Sequence, residues 1–396
     1  MTEERLDLLV VDEEDRYSRL RLIPWWDQEL LKKTKVLVVG AGALGNEILK
    51  NLALVGIGKI FVLDMDNIEN SNLSRSVLFR AADEGRSKAE AAAAMIHQIN
   101  PDCNVQWLQA NAVTDLGLGV YRWADLVIGG LDNRLARLSI NQSCWRVGKP
   151  WIDGAIEVLV GVARVFVPPD SACYECTMNE LDLKLLPSRY KCPLIETEDM
   201  MQGKVPTTPT TASIIAGVQV QEALKLIHKR EDMPSLKGRG YFYNGLNYDS
   251  YLIEYDRKES CLSHDSYGEI ADLNISVEKD TLGDLLKTVR AIVGQDTIIE
   301  LERELVIKRD CKKCSTSETF IKIIDKITKE NELCTFCEEE YDLKATHFIT
   351  GEENYLDCKL KEIGMPKMEV VIALSGEKRY HFELSGDRKT VLGAVE

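Results

Sequence analysis

The run VLVVGAGALGNEILKNLALVGIGKIFVLDMDNIENSNLSR, from Val36 to Arg75, decides how this chain folds. Val36 to Val39 are apolar and end at a glycine, the pattern of a buried strand. Gly40-Ala41-Gly42-Ala43-Leu44-Gly45 then forms a GxGxxG loop. The first glycine permits the tight turn. The second lets backbone N–H groups approach a phosphate, and the third lets the next helix sit close to the strand. That helix, over about Leu44 to Val55, aims its N-terminus and dipole at the bound anion. A second strand, Ile60 to Leu63, ends at Asp64, a carboxylate placed for a ribose hydroxyl.

A GxGxxG loop alone fits any nucleotide-binding βαβ unit, NAD-dependent oxidoreductases included. The residues after Asp64 narrow the choice. Asp66-Asn67-Ile68 leads into Ser71-Asn72-Leu73-Ser74-Arg75, so polar and cationic groups gather beyond the carboxyl end of a strand, where open α/β sheets bind ligands. A dehydrogenase needs only the acidic residue there. An enzyme handling a triphosphate needs amide and guanidinium groups around the α-phosphate as well.

Bulk properties set outer limits. A chain of 396 residues has room for roughly two or three domains. Its net charge of −15 argues against a nucleic-acid binder, which needs a basic surface. The start, MTEERLDLLVVDEEDR, is acidic and lacks the apolar run of a secretory leader. No stretch is apolar for long enough to span a membrane. Eleven cysteines without a leader point to metal binding or catalysis rather than disulfides, and to the cytoplasm.

Along the chain, Arg16-Tyr17-Ser18-Arg19 opens an amphipathic stretch to Leu31. It reads either as a surface helix over the sheet or as a segment bringing an arginine to an active site, its own or a partner subunit's. An alanine-rich helix over Ser87 to Asn100 carries Lys88 in its first turn, where a cation opposes the helix dipole. Strands are expected next at Val105 to Leu108 and Leu126 to Gly130. The latter runs into Leu131-Asp132-Asn133 before a helix over Arg134 to Val147. Asp132 reads either as a Mg²⁺ ligand beside phosphates or as the cap of that helix. More strands are expected at Trp151 to Gly154 and Val158 to Val167. Residues 177–205 form a long segment of little periodicity, of the kind that is usually functional. A helix over Ala212 to Ile227 and a hairpin over Tyr241 to Tyr255 complete this part.

From about Asp265 the apolar runs shorten and Lys and Glu increase. Strands are expected at Ile270 to Val277, Thr297 to Leu301, Glu369 to Leu374 and Tyr380 to Leu384, with a helix over Leu282 to Val293. Cys311-x-x-Cys314 and Cys334-x-x-Cys337, with an apparent helix between them, have the spacing of a four-cysteine zinc site.

These pieces together resemble the ThiF/MoeB/HesA superfamily, the adenylation domains of ubiquitin-like-protein activating enzymes. The resemblance spans about residues 14–264. It rests on RYSR at Arg16, GAGALG at Gly40, DMDNIENSNLSR at Asp64, Lys88 in SKAEAA, GLDNRLAR at Gly130 and paired metal motifs. Within the superfamily the chain looks like an activating enzyme of a bacterial ubiquitin-like conjugation operon. The resemblance implies an α/β fold: a Rossmann-like adenylation domain with a mixed, mostly parallel sheet over residues 1–264, including a crossover loop at 177–205. Residues 265–396 would add a smaller zinc-binding α+β module for recruitment.

It also implies roles. Gly40, Gly42 and Gly45 would carry the phosphates of ATP, and Asp64 its ribose. Asn72, Arg75 and Lys88 would surround the α-phosphate, and Asp132 would hold Mg²⁺. Arg19 would reach the partner's site in a homodimer. Cys173, Cys176, Cys261 and His264 would bind one Zn²⁺, with a histidine where the family usually has a fourth cysteine. Cys192, in Arg189-Tyr190-Lys191-Cys192-Pro193, aligns with a crossover-loop cysteine, and its basic neighbours would lower its thiol pKa. The expected partners are a ubiquitin-like modifier and a conjugating enzyme. A sulfur-carrier adenylyltransferase without a thioester relay is the alternative. Cys103, Cys144 and Cys358 read as packing residues.

Overall fold

The computed structural model describes residues 15–179 and 206–396. Cys192 and nearly all of the expected crossover loop lie outside them. A short helix α1 (Gln28–Lys33) precedes strand β1 (Lys35–Val39). Next in order are α2 (Ala43–Val55), β2 (Lys59–Asp64), α3 (Lys88–Ile99), β3 (Asn104–Gln109), α4 (Leu118–Trp123), β4 (Leu126–Gly129) and α5 (Arg134–Arg146). Then come β5 (Trp151–Glu157), β6 (Val160–Phe166), α6 (Pro209–His228), β7 (Arg239–Asn244) and β8 (Asp249–Glu254).

These strands form one sheet of order β3-β2-β1-β4-β5-β6-β7-β8. Its first five strands are parallel, and β6 to β8 continue it antiparallel. The order reverses at β1, so the loops after β1 and β4 flank the crevice where such sheets bind ligands. The parallel strands are apolar on both faces, as a sheet covered on both sides must be. Val36, Val38, Ile60 and Val62 pack towards α2, α3 and α6. The alternate residues Leu37, Val39, Phe61 and Leu63 face α4 and α5 on the other side.

A second sheet is built from β9 (Ile270–Leu273), β10 (Ile298–Cys311), β11 (Thr316–Ile323), β12 (Asp342–Ile349), β13 (Val370–Ser375) and β14 (Lys378–Leu384), with α7 (Leu282–Val293) packed on it. The order is β11-β10-β13-β14-β9, and β12 also pairs with β10. A one-turn α8 (Lys329–Glu332) and a short α9 (Arg388–Leu392) complete it. Here the sequence reading needs correction. The segment between the cysteine pairs is mostly β11, and its only α-helix is the single turn α8. Phe320, Ile323 and Ile324 have helical spacing, but Thr and Ile favour the pleated surface, and the Cys311–Cys314 turn folds the segment back onto β10. β10 runs on to Cys311 instead of stopping near Leu301, and β9 stops at Leu273.

The β10–β12 register jumps from Glu300↔Phe348 to Leu305↔Thr346, so Leu301 to Glu304 bulge out opposite His347. The bulge turns Glu302 towards the first sheet, where it meets Arg146 at the end of α5 and accepts a 2.8 Å hydrogen bond from the Tyr267 hydroxyl. Arg303 donates to the Thr114 carbonyl at 2.7 Å.

The short α4 leaves the β1–β2 end of one face without a long helix. Met368, Val370, Leu392 and Val395 pack there with Leu37, Phe61 and Leu63. Arg122 fastens the arrangement. Its Nη1 lies 2.6 Å from Asp272 and 2.7 Å from the buried Glu383, and its Nη2 donates to the Ile270 carbonyl at 2.7 Å. Among the described residues no helix is long and apolar enough to cross a membrane.

Candidate nucleotide site and metal centres

Gly40 has φ +94°, where side chains are strained, and a methyl on it would lie 2.5 Å from the Gly130 carbonyl oxygen. A methyl on Gly45 would overlap the Gly40 carbonyl oxygen. Gly42 differs: open space lies above it, and it caps the N-terminus of α2. The loop is therefore dense beneath and free above, with the helix N-terminus behind it. Gly130, which opens GLDNRLAR, closes the packing from the β4 side.

Asp64 is committed to holding this loop. Its Oδ2 accepts from the Ala41 amide at 2.6 Å and its Oδ1 from the Asp66 amide at 2.8 Å. Burial pushes its carboxyl above the usual range, against the pull of Lys88 and of the two amides. Each oxygen keeps a second lone pair for a further donor. Lys88 is tied twice to Asp66: its amide donates to the Asp66 carbonyl at 3.0 Å, and its ammonium lies 2.7 Å from Oδ2.

The buried Asn46 joins the loop to the segment carrying Asn72 and Arg75. Its Nδ2 donates to the Ala41 and Gly42 carbonyls at 2.6 and 3.1 Å, and its Oδ1 accepts from the Leu78 amide at 2.8 Å. Asn72 is buried and accepts from the Glu69 amide at 3.0 Å. Arg75 reaches its own turn, donating to the Ser71 carbonyl at 2.9 Å.

Asp132 is exposed on the loop after β4, beside Gly130. The cap of α5 is Asn133, whose side chain accepts from the Ala136 amide at 2.8 Å. This removes capping as an account of Asp132 and leaves an exposed carboxylate two residues after Gly130, which packs on the glycine loop; such a group could hold Mg²⁺. Behind it, the buried Arg137 donates to the carbonyls of Leu131 and Gly154 and, from Nε, to Asp153 at 2.9 Å. Arg137 closes the GLDNRLAR motif, but its task was not legible there, and Asp153 belongs to no motif, because the pair forms between different elements.

Arg19 is not part of this cluster in its own chain. Its neighbours Arg16 and Tyr17 are anchored at the far end of α3, on the Ile99 carbonyl and Asn100, whereas Lys88 begins that helix. Twelve helical residues separate the two ends by about 18 Å.

Two sulfur-rich clusters lie apart from the loop. Cys173, Cys176, Cys261 and His264 present donor atoms all within 4.8 Å of one another, as do Cys311, Cys314, Cys334 and Cys337. Cys173 Sγ lies 3.6 Å from Cys176 Sγ and 3.5 Å from Cys261 Sγ, and Cys176 Sγ lies 3.4 Å from His264 Nε2. A tetrahedral Zn²⁺ with ordinary bond lengths has donor–donor edges of roughly 3.3–3.8 Å, so the sets fit it. In the first cluster the thiols of Cys173 and Cys261 and the Lys258 amide hold the Cys176 thiol far below its ordinary value. In the second, the amides of Phe336 and Cys337 lower Cys334 to about 6. Cys103 and Cys144 are buried, with thiols pushed up by burial, as packing residues should be.

The ThiF family model matches residues 15–263. The chain belongs to the ThiF family. It is 33% identical over 250 residues to the SAMP-activating enzyme E1 of Haloferax volcanii, covering 62% of this chain and 87% of that one. Over 198 residues it is 42% identical to the NEDD8-activating enzyme E1 catalytic subunit of Caenorhabditis elegans, covering 46% and 44% of the two chains. It thus spans less than half of that relative's length. A sulfur carrier protein adenylyltransferase of Thermus thermophilus is 36% identical over 173 residues, covering 42% of this chain and 64% of that one. The fold is that of the crystal structure of E. coli MccB, with a TM-score of 0.53 at 24% identity over 65% and 74% of the chains. The ThiF-family match ends before β9, so the second sheet and its cysteine cluster lie beyond it.

Proposed function

We propose that this ThiF-family chain activates the C-terminal carboxylate of a ubiquitin-like protein with ATP. The observation that carries the reading is the meeting, at the point where strand order reverses, of the open Gly42 loop, Lys88 beside Asp64 and Asp66, and the Asp132 loop. One carboxylate oxygen attacks the α-phosphorus. The bond from that phosphorus to the bridging oxygen of the β-phosphate breaks, and pyrophosphate leaves. A carboxylate is already a nucleophile, so no general base is needed. The site must offset repulsion between anions: Lys88, Arg75 and the N-terminus of α2 do this, with Asn72 beside them. Mg²⁺ at Asp132 would neutralise further phosphate charge. The two Zn²⁺ sites would be structural, with every ligand supplied by the protein.

In the full reading the Cys192 thiolate then attacks the acyl carbon, AMP leaves, and the thioester passes to a conjugating enzyme. We assign residues 1–264 to adenylation and 265–396 to recruitment, in a cytoplasmic homodimer whose Arg19 serves the partner's site. The likeness to the sulfur carrier protein adenylyltransferase keeps a second reading, adenylation without a thioester.

The test is the intact mass of the protein after incubation with ATP, Mg²⁺ and the ubiquitin-like protein encoded beside its gene. A reductant-sensitive adduct lost in Cys192→Ala supports the full reading. Adenylate without that adduct selects the second. Absence of both refutes the proposed activity, and normal ATP–pyrophosphate exchange in Lys88→Ala instead of a drop on the order of a hundredfold refutes the assigned site.

A further inference from the structure

We infer that Arg137 is the positioning residue of the Asp132 loop, held in that task by the buried carboxylate of Asp153. The inference rests on the proposed role of Asp132 at Mg²⁺ and deepens it. Arg137 stands one turn into α5, and its side chain reaches back towards the helix N-terminus, as long helical side chains do. Its Nη2 donates to the carbonyl of Leu131, the residue before Asp132, and also to the Gly154 carbonyl at 3.1 Å. The Leu131 carbonyl lies past the end of β4, outside the ladder, and would otherwise need a partner elsewhere. The other end of the guanidinium is fixed: Nε donates to Asp153 Oδ1 at 2.9 Å, and Asp153 is fully buried.

Asp153 does not need Arg137 for neutralisation. Arg164 already binds its Oδ2, with Nε at 2.9 Å and Nη2 at 2.5 Å. The second arginine therefore brings one cation more than the pair requires, and its remaining donors go to backbone at the ends of β4 and β5. A lysine could not replace it, because a single ammonium lacks the fork that spans a carboxylate and two carbonyls. The anchor extends further. The Arg164 guanidinium lies 5.1 Å from the centre of the Tyr174 ring, and Tyr174 sits between the metal-cluster residues Cys173 and Cys176. The Tyr174 amide returns to α5, donating to Asn141 Oδ1 at 2.8 Å. The loop that carries Asp132 is thus braced against the frame that carries the first sulfur cluster.

Two readouts test this without the acyl substrate. The first is amide hydrogen exchange of a peptide spanning residues 129–134, with a peptide from β1 as internal control. The second is binding of a non-hydrolysable ATP analogue, measured with Mg²⁺ and again with EDTA. Arg137→Lys should raise exchange in the loop but not in β1. It should weaken Mg²⁺-dependent binding about tenfold, the loss of one charged hydrogen bond, and leave binding in EDTA unchanged. In an Asp132→Asn background the same substitution should add nothing. The single variant Arg137→Gln leaves Asp153 paired with Arg164, so it strands no buried charge, and it should behave as Arg137→Lys does. Equal losses with and without Mg²⁺, or exchange raised equally in β1, would overturn the inference and leave Arg137 a packing residue. If Asp132→Asn alone keeps the wild-type Mg²⁺ dependence, the metal assignment fails and the inference falls with it, a result visible before Arg137 is changed.

Discussion

Gly42 and Gly45 use the absence of a side chain in opposite ways. A methyl at Gly45 strikes the Gly40 carbonyl, so Gly45→Ala should disturb the loop and lower the melting temperature. A methyl at Gly42 meets nothing in the protein and suits the local backbone, so Gly42→Ala should melt like the wild type yet bind ATP weakly, because the methyl occupies the approach of the phosphate. Calorimetry and nucleotide titration check the pair; equal affinity in Gly42→Ala would remove the loop from the site. Asp153 allows a pH test. Burial works to raise its carboxyl, but Arg164 and Arg137 outweigh burial and hold it below its ordinary range. A depressed carboxylate stabilises the fold above its unfolded-state value of about 4 and loses that contribution as pH falls through the folded value. Asp153→Asn should therefore flatten the acid limb of the melting curve below about pH 4 and lower the plateau. An acid limb of wild-type steepness would contradict this. The glycine loop, Asp64 and Lys88 were legible in the sequence because each belongs to a contiguous motif. Asn46 and Asp153 were not, and Arg137 was visible only as the end of GLDNRLAR with no role, because what marks all three is a partner on another element.

Among the elements, those with strong local periodicity were read almost to the residue. The helix expected at Leu282 to Val293 is α7, and the strand expected at Ile60 to Leu63 is β2 with one more residue at each end. The ribbon of β10 and β11 differs from the expected helix because its register is imposed from outside, by the cysteine turn at one end and a register shift between Val306 and Lys308. The same geometry yields a prediction. Cys334→Ser should reduce zinc from about two ions per chain to about one. It should also raise hydrogen exchange in β10 and β11 from Leu305 onward, since structural zinc binding contributes directly to local folding. The β1 to β5 strands should keep their protection. Elemental analysis and exchange mass spectrometry check both parts, and unchanged zinc would remove the second cluster from the metal sites.

For the molecule as a whole, the sequence showed a change of texture near residue 265 but not how the two sheets meet. That meeting depends on α4, whose six residues the sequence reading passed over, and on Gly117 and Gly119, which let the chain around Met368 come close enough for its carbonyl to accept from the Gly119 amide at 2.8 Å. Arg122→Ala would leave the buried Glu383 without its nearer cation, with Arg388 3.9 Å away. It should destabilise the protein by on the order of 3 kcal/mol, measured by denaturant titration with tryptophan fluorescence. A loss below about 0.5 kcal/mol would show that apolar contact alone holds the sheets together. The covering of Leu37, Phe61 and Leu63 by residues from Met368 onward also bears on biosynthesis. The first strands leave the ribosome with one greasy face that their own half of the chain does not fully cover. Some 300 further residues must be made before the cover arrives, on the order of tens of seconds at usual translation rates. During that interval the face waits uncovered, and a message cut short before Met368 should yield a product more prone to aggregate than the full chain.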